Sequence, residues 1–271
     1  HKDSTAILNS YINAAGKPVL KSKFNETEFL LSPPSEMCTR TNGHSAITCS
    51  ACHSGWAPQC TGCHVAYNKN VPGFDLLEDK KVTGTWEESA GGFFSGMPPM
   101  GVYRTKKSKS ITSAVPGMIM TLDQSGYHGT SKNDTEFFRL FAPSKPHTTT
   151  AAGRDCKSCH NNANALGYGR GTLTFVADAK PPHWEFESEY ENAEDGLPLD
   201  AWIPFLGERQ GKVSTRLNFT PFTIKEQQRI LTVGACLTCH KQDSELMTRS
   251  LRMDFELLKK QMTTACKQPV Y

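Results

Sequence analysis

The sequence predicts one domain over residues 1–271 that is mainly α-helical, with much irregular loop and small β-hairpins. Three observations predict this class. Hydrophobic residues make up only 37% of the chain. The 21 glycines and 16 prolines interrupt regular structure. One cysteine–histidine pattern recurs along the chain, with helical signals beside its last copy. Because the apolar supply is thin, we expect bound groups to fill much of the core.

Helical signals are clearest in the C-terminal third. Thr223 and Glu226 form a capping-box pattern that opens a helix, which Gly234 is expected to end. Apolar residues then recur at helical spacing over Ser244–Thr264 and predict a long final helix. A short helix is also predicted over Asp134–Phe141.

Strand signals are short. Residues 1–37 are expected to form an extended arm, and residues 65–130 a loop region with a small β insertion. The predicted strands are Gly101–Thr105, Gly117–Leu122, and a hairpin formed by 171–177 and 183–189.

The strongest feature is a Cys-x-x-Cys-His pattern, the signature of c-type haem attachment. Its copies are Cys49-Ser-Ala-Cys52-His53 (motif 1), Cys60-Thr-Gly-Cys63-His64 (motif 2), Cys156-Lys-Ser-Cys159-His160 (motif 3) and Cys236-Leu-Thr-Cys239-His240 (motif 4). In a helical turn, cysteines at i and i+3 share one face and can bond the two vinyl groups of one haem. The following histidine offers a ring nitrogen to the iron. The sequence therefore predicts four covalent haem c groups.

Zinc sites and redox dithiols are the other uses of paired cysteines. A zinc ribbon places its two Cys-x-x-Cys pairs about 15–20 residues apart, whereas seven residues separate Cys52 from Cys60. A thioredoxin-like dithiol needs one such pair in a βαβ context. Neither explains why a histidine follows every second cysteine.

Each iron also needs a second axial ligand or an open position. The histidines outside the motifs are His1, His44, His128, His147 and His183. With the terminal His1 set aside, four histidines match four haems and favour bis-His ligation. His44 and His147 shortly precede motifs 1 and 3 in the chain. Met97 and Met100 are the alternative ligands, although methionine also fills irregular gaps in cores.

Several features of the sequence limit where the protein is located and which partners it binds. Cys38 and Cys266 remain outside the motifs and form either a disulfide or two separate buried thiols. Haem attachment and disulfides both favour a periplasmic or extracellular, exported protein. A net charge of +3 does not indicate a nucleic-acid partner, and no apolar run has the length of a transmembrane segment.

Two charged clusters are either solvated loops or docking surfaces for a redox partner or another copy of the chain. The basic one contains Arg104, Lys106, Lys107 and Lys109. The acidic one contains Glu185, Glu187, Glu189, Glu191, Glu194 and Asp195.

Two stretches extend the signal beyond the motifs: Cys49–His64 (CSACHSGWAPQCTGCH) and Phe138–Gly171 (FRLFAPSKPHTTTAAGRDCKSCHNNANALGYGRG). Both resemble segments of larger periplasmic multihaem cytochromes c, octahaem types among them. Four motifs at this length also resemble the tetrahaem cytochromes that polymerise into extracellular conductive filaments. In that group a neighbouring subunit supplies some distal histidines, and His44, then His1, are the candidates here.

The resemblance implies electron transfer in periplasmic or extracellular respiration, with other redox proteins or further copies of the chain as partners. The alternative is a multihaem reductase or oxidase of a small nitrogen or sulfur compound with one open haem. Catalytic relatives often replace one motif histidine by lysine, and all four motifs here keep histidine. A non-enzymatic electron carrier is therefore the expected function.

Overall fold

A computed structural model describes residues 8–32, 38, 42–128, 134–145, 148–209 and 216–271. The chain divides into two compact units, residues 1–45 and 46–271. Strands make up 37% of the structure and helices 21%. The predicted mainly α class is therefore wrong, and a large sheet is the dominant element.

The first unit contains a three-stranded antiparallel sheet in the order β1-β2-β3. Its strands are β1 (Ser10–Ile12), β2 (Pro18–Lys21) and β3 (Glu28–Leu30). The β1–β2 turn forms because the Asn13 side chain accepts hydrogen bonds from the amides of Ala15 and Lys17, and Gly16 takes a φ of 72°. The stretch expected to be an extended arm over 1–37 thus contains a sheet.

The second unit holds the remaining strands and the α-helices of the described residues. Its strands are β4 (Ala57–Asp75), β5 (Lys80–Gly96), β6 (Met100–Arg104), β7 (Lys109–Asp123), β8 (Thr135–Pro143), β9 (Gly171–Val176), β10 (His183–Ser188) and β11 (Phe219–Thr220). Its helices are α1 (Cys49–His53), α2 (Ser125–His128), α3 (Lys157–His160), α4 (Ala163–Leu166), α5 (Ile224–Cys239), α6 (Glu245–Arg252) and α7 (Phe255–Lys259). No helix in the described part of the chain has the length and apolarity that a membrane crossing requires.

Six strands form one sheet in the order β11-β6-β7-β4-β5, with β8 paired to β7. The pairings are antiparallel except for a short parallel contact between β4 and β7. The strands predicted at Gly101–Thr105 and Gly117–Leu122 are confirmed as parts of β6 and β7. The helix predicted over Asp134–Phe141 is wrong, because Arg139 and Phe141 are buried with the two-residue period of strand β8.

The hairpin predicted over 171–177 and 183–189 is confirmed as β9 and β10. Its inner face packs on an aromatic core, in which the Trp184 indole donates to the Leu231 carbonyl of α5 over 3.1 Å. The buried members of this core are Ala114, Phe141, Ala163, Leu166, Tyr168, Trp184, Trp202, Ile203, Phe219, Leu231 and Ala235. These aromatic and aliphatic side chains form a packed core between the hairpin, the large sheet and α5.

Helix α5 begins where the capping box predicts. The Thr223 side chain accepts from the Glu226 amide, and the Glu226 side chain accepts from the Thr223 amide. The helix does not end at Gly234 but continues to Cys239. Gly234 serves close packing instead, because a Cβ there would lie 2.5 Å from the His160 carbonyl oxygen.

The long helix predicted over Ser244–Thr264 is divided into α6 and α7. The break falls at Met253 and Asp254, which both have extended backbone angles. The Asp254 side chain then accepts from the amides of Glu256 and Leu257 and opens a new helix. A capping residue inside the apolar pattern therefore overrides its periodicity.

We expect Arg139→Met to lower the free energy of unfolding by about 3–5 kcal/mol. The Arg139 side chain is 2% exposed, is paired with Asp195, and donates to the carbonyls of Ala201 and Leu197. Its loss removes the donor to the Ala201 carbonyl and leaves the Asp195 carboxylate without its ion pair. Urea denaturation followed by circular dichroism measures the change.

The matched control is Arg104→Met. Arg104 is 43% exposed and lies 3.8 Å from Glu226, so its loss should cost under about 1 kcal/mol. Equal effects of the two substitutions would contradict the structural role assigned to Arg139.

Asp200 should make stability depend on pH. Burial raises the pKa of Asp200 to about 6, above the ordinary value of about 3.9. The folded state then binds the proton more tightly, so the contribution of Asp200 to the free energy of unfolding is largest below about pH 4 and is lost as the pH rises through about 6. Asp200→Asn keeps an acceptor for the Arg170 amide and should flatten this part of the profile. Denaturation of both proteins between pH 4 and 7 tests this, and parallel profiles would contradict it.

Candidate haem-attachment sites

Motif 1 forms helix α1. Its N-cap is Thr48, whose side chain accepts from the Ala51 amide. The helical turn places Cys49 and Cys52 on one face, as attachment to a single porphyrin requires. The ring of His53, at the end of the turn, donates from Nδ1 to the Thr150 carbonyl over 2.9 Å.

Motif 3 has the same local geometry. Cys156 takes right-handed helical angles at the N-cap of α3, and the Asp155 carboxylate accepts from the Ser158 amide over 2.7 Å. The ring of His160 donates from Nδ1 to the Ile230 carbonyl of α5 over 2.9 Å.

The Nδ1 hydrogen bonds give these two imidazoles the arrangement that metal-binding histidines usually have. A carbonyl oxygen has no proton to give, so Nδ1 of His53 and of His160 must carry the hydrogen. In a neutral ring Nε2 then keeps its lone pair. Metal-binding histidines usually donate their second ring N–H to a carbonyl or a carboxylate in this way. The residues present at motifs 1 and 3 therefore fit a haem iron.

Motif 4 occupies the end of α5. Cys236 and Cys239 lie in its last turns, and His240 follows as the C-cap residue. Burial raises the pKa of the Cys236 thiol, and Cys266 and Cys239 add to the rise. The helical spacing of the two cysteines fits attachment to one haem.

Motifs 1 and 3 are joined by backbone hydrogen bonds. The Thr150 amide donates to the His53 carbonyl over 2.8 Å, and the Arg154 amide donates to the Cys52 carbonyl over 2.9 Å. Motif 3 begins two residues later, at Cys156. The segment that leads into motif 3 therefore lies directly on motif 1.

Hydrogen bonds also join motif 3 and the residue after it to residues next to motif 4. The Cys156 amide donates to the Gln242 side chain over 3.3 Å, two residues beyond the motif 4 histidine. The Asn161 side chain donates to the Gly234 carbonyl over 3.1 Å. The fold thus brings motifs 1, 3 and 4 into one continuous series.

Motif 2 differs, because its backbone is part of strand β4. Cys63 is paired with Ala90 of β5 and Met120 of β7, and its thiol donates to the Glu88 carboxylate. An extended backbone does not bring positions i, i+3 and i+4 to one face. The helical turn expected at motif 2 is therefore absent, and this conformation does not fit haem attachment.

His44 ends a short 3-10 helix, Asn42–His44, five residues before Cys49. Burial lowers the pKa of His44, which favours the neutral ring. His128 ends helix α2, and its side chain lies outside the described part of the structure. His1 and His147 also lie outside the described residues.

His183 has both ring nitrogens engaged on strand β10. Nδ1 bonds to the Pro181 carbonyl at 3.0 Å and Nε2 to the Glu185 carboxylate at 3.1 Å. The bond to Pro181, and then Glu185, raise the pKa of His183. Its neighbour Trp184 points toward α5, and successive strand residues face opposite sides. His183 therefore faces away from the helix that carries motif 4.

The two alternative methionine ligands occupy different environments. Met100 is buried in a small apolar cluster with Ala51 of motif 1, and Cys159 of motif 3 packs against that cluster. Met97 is 46% exposed, and its carbonyl accepts from the side chains of Gln59 and Asn164.

Members of each charged cluster stabilise the fold. Arg104 and Lys109 both lie within ion-pair distance of Glu226, and Asp195 is paired with buried Arg139. The docking role of the remaining charged residues stays a prediction.

Sequence reasoning missed the groups that orient the motif histidines. They are the backbone carbonyls of Thr150 and Ile230. Because every residue has a backbone carbonyl, residue identity does not indicate which carbonyl accepts the bond. The close approach at Gly234 had a signal, the glycine itself, but a glycine in this position of the sequence also favours a helix end. In the described part of the chain, no three His, Cys, Asp or Glu side chains converge as a metal site.

Comparison of the chain with protein-family models, with characterised proteins and with solved structures found no significant match.

Proposed function

We propose that this protein transfers electrons through haem groups bound covalently at its Cys-x-x-Cys-His motifs. The observation that carries the proposal is the hydrogen bonding of His53 and His160. Each ring is fixed by a backbone carbonyl at Nδ1, so Nε2 is the ring nitrogen that would bind a metal. Helical cysteines at i and i+3 accompany both histidines.

The bound haem supplies a metal centre that gains and loses one electron. The chain would hold that centre in place: the two cysteines of each motif would bond the porphyrin, and the carbonyls of Thr150 and Ile230 orient the imidazoles of His53 and His160. Because these acceptors are backbone groups, side-chain rotation cannot move them away from the motif histidines. Fixed ligands suit electron transfer, since they keep the coordination constant between oxidation states.

Contact between successive motifs supports a relay. Backbone hydrogen bonds join motif 1 to the segment that opens motif 3, and motif 3 is joined to the residues around motif 4. Haems attached at these positions would be held close by short, rigid connections. The order along the relay is motif 1, motif 3 and motif 4.

We keep a fourth haem at motif 2 in the proposal. Attachment there requires residues 60–64 to leave strand β4, because a helical turn and the pairing with β5 exclude each other. His44, His128 and His147 remain proposed second axial ligands, which would give bis-His irons at the haems they serve. His183 is proposed only for a haem other than that of motif 4.

Exported electron carriers meet their donors and acceptors by surface contact. We therefore place the protein in the periplasm or outside the cell, with other redox proteins or further copies of itself as partners. A filament of such copies would continue the relay from chain to chain.

The haem content tests the proposal directly. Intact-mass measurement should show the chain with four haems attached, and the oxidised spectrum should be low-spin and unchanged by cyanide or nitrite. A chain without haem would overturn the proposed function. A high-spin fraction that binds cyanide would instead favour reduction of a small nitrogen or sulfur compound.

A pair of double variants tests the relay. Cys156→Ser with Cys159→Ser should remove one haem and slow electron exchange between motifs 1 and 4 at least tenfold, because motif 3 lies between them. Photoreduction followed by transient absorption measures the exchange.

The matched control is Cys60→Ser with Cys63→Ser. It should also remove one haem but leave the exchange between motifs 1 and 4 within about twofold of the parent protein, since motif 2 lies in the sheet. Equal slowing by both double variants would refute the proposed order.

A further inference from the structure

Arg154 contacts two of the motifs, one through its backbone and one through its side chain. Its amide donates to the Cys52 carbonyl of motif 1 over 2.9 Å. Its side chain lies within hydrogen-bonding reach of the Cys159 thiol of motif 3. Nη2 also donates to the carbonyl of Pro98, a buried residue just before β6. The guanidinium is therefore held beside one attachment thiol by contacts at both ends of the residue.

The Arg154 guanidinium has no ion-pair partner among the described residues. Its Nε atom is buried and has no hydrogen-bond acceptor there. The carboxylate of the next residue, Asp155, accepts from the Ser158 amide instead. A guanidinium stays protonated in proteins, and a buried charge without a partner destabilises a fold. The fold thus retains an uncompensated positive charge at this position.

The bond to Pro98 does not by itself explain a cation at position 154. In the same loop, the neighbouring Met97 carbonyl accepts from the neutral side-chain amides of Gln59 and Asn164. A neutral donor therefore suffices to hold a carbonyl of this loop. What distinguishes Arg154 from these amides is its charge.

The charge acts on the sulfur that it faces. Burial raises the pKa of the Cys159 thiol, and the interaction with Arg154 opposes that rise. Arg154 thus stabilises negative charge at this sulfur, as a nearby cation does. The same field acts on any redox group that is bonded to the sulfur.

We infer that Arg154 raises the reduction potential of the haem at motif 3 by holding a positive charge beside its attachment sulfur. The inference rests on the proposed function. Oxidised iron carries one more positive charge than reduced iron, so a nearby cation disfavours the oxidised state. Burial strengthens the effect, because water and salt screen a buried charge less. The middle haem of the relay would then be easier to reduce than its ligands alone would make it.

The test measures midpoint potentials in the haem-loaded protein. The haem of motif 3 is identified as the component that is missing from the redox titration of the Cys156→Ser and Cys159→Ser double variant. Arg154→Gln keeps a donor for the Pro98 carbonyl and removes the charge. It should lower the equilibrium constant for reduction of this haem about tenfold, which is about 59 mV for a one-electron couple. The other haems should change less.

Two further substitutions at position 154 separate the charge from the packing. Arg154→Lys keeps the charge and should hold the equilibrium constant for reduction of this haem within about threefold of the parent value. Arg154→Met removes the charge without burying an amide, so it covers the case in which the glutamine variant does not fold, and it should act as that variant does. A lysine variant that loses as much as the neutral variants would overturn the inference, because the effect would then come from packing.

The matched control is Lys157→Gln. Lys157 is a cation within motif 3 itself, but its side chain is exposed, so water and salt screen its charge. Its loss should change the equilibrium constant for reduction of the motif 3 haem by less than about twofold. Equal shifts in Lys157→Gln and Arg154→Gln would contradict a special role for the buried charge.

The outcomes separate this inference from the proposed function. A haem-loaded protein whose motif 3 potential is the same with and without the Arg154 charge overturns the inference and leaves electron transfer intact. A chain that carries no haem overturns the proposed function itself.

Discussion

The contact between α5 and α3 at Gly234 is the constraint on which the candidate site depends. A side chain at this position would collide with the His160 carbonyl, so only glycine allows the two helices to approach so closely. That approach lets the Ile230 carbonyl reach the His160 ring and lets Asn161 reach the Gly234 carbonyl. One helix thus carries motif 4 at its end and orients the histidine of motif 3 at its middle.

The local chemistry of the motifs could be predicted from sequence, and their arrangement could not. The capping box of α5 and the helical spacing at motifs 1, 3 and 4 depend on neighbouring residues, so both are visible in the sequence. The contact of motif 1 with residues 150–154 depends on backbone groups about a hundred positions away. No residue type indicates that its carbonyl will accept such a bond. The contacts that connect motif 1 with motif 3 and motif 3 with motif 4 are therefore visible only in the fold.

The fold class failed for a related reason. Residues 65–130 are rich in glycine and proline, which suggested a loop region with a small β insertion, yet the stretch from Ala57 to Asp123 forms β4, β5, β6 and β7. Long-range strand pairing stabilises these segments, and single-residue preferences report it poorly. Motif 2 lies inside this stretch, where the sheet overrides the helical turn that its cysteine spacing favours. The same segment thus has two local preferences, and attachment of a bulky group would decide between them.

The connection between Thr150 and Cys156 also limits how the chain can vary in length. Thr150 is tied to His53 and Arg154 to Cys52, while Cys156 already belongs to the next motif. A one-residue insertion or deletion here would shift one end of the connection out of register with its partner. The β4–β5 turn, by contrast, contains exposed residues such as Leu77, and no hydrogen bond of the described residues fixes this turn to a motif. Length differences among homologues should therefore accumulate in that hairpin and be rare between Thr150 and Cys156.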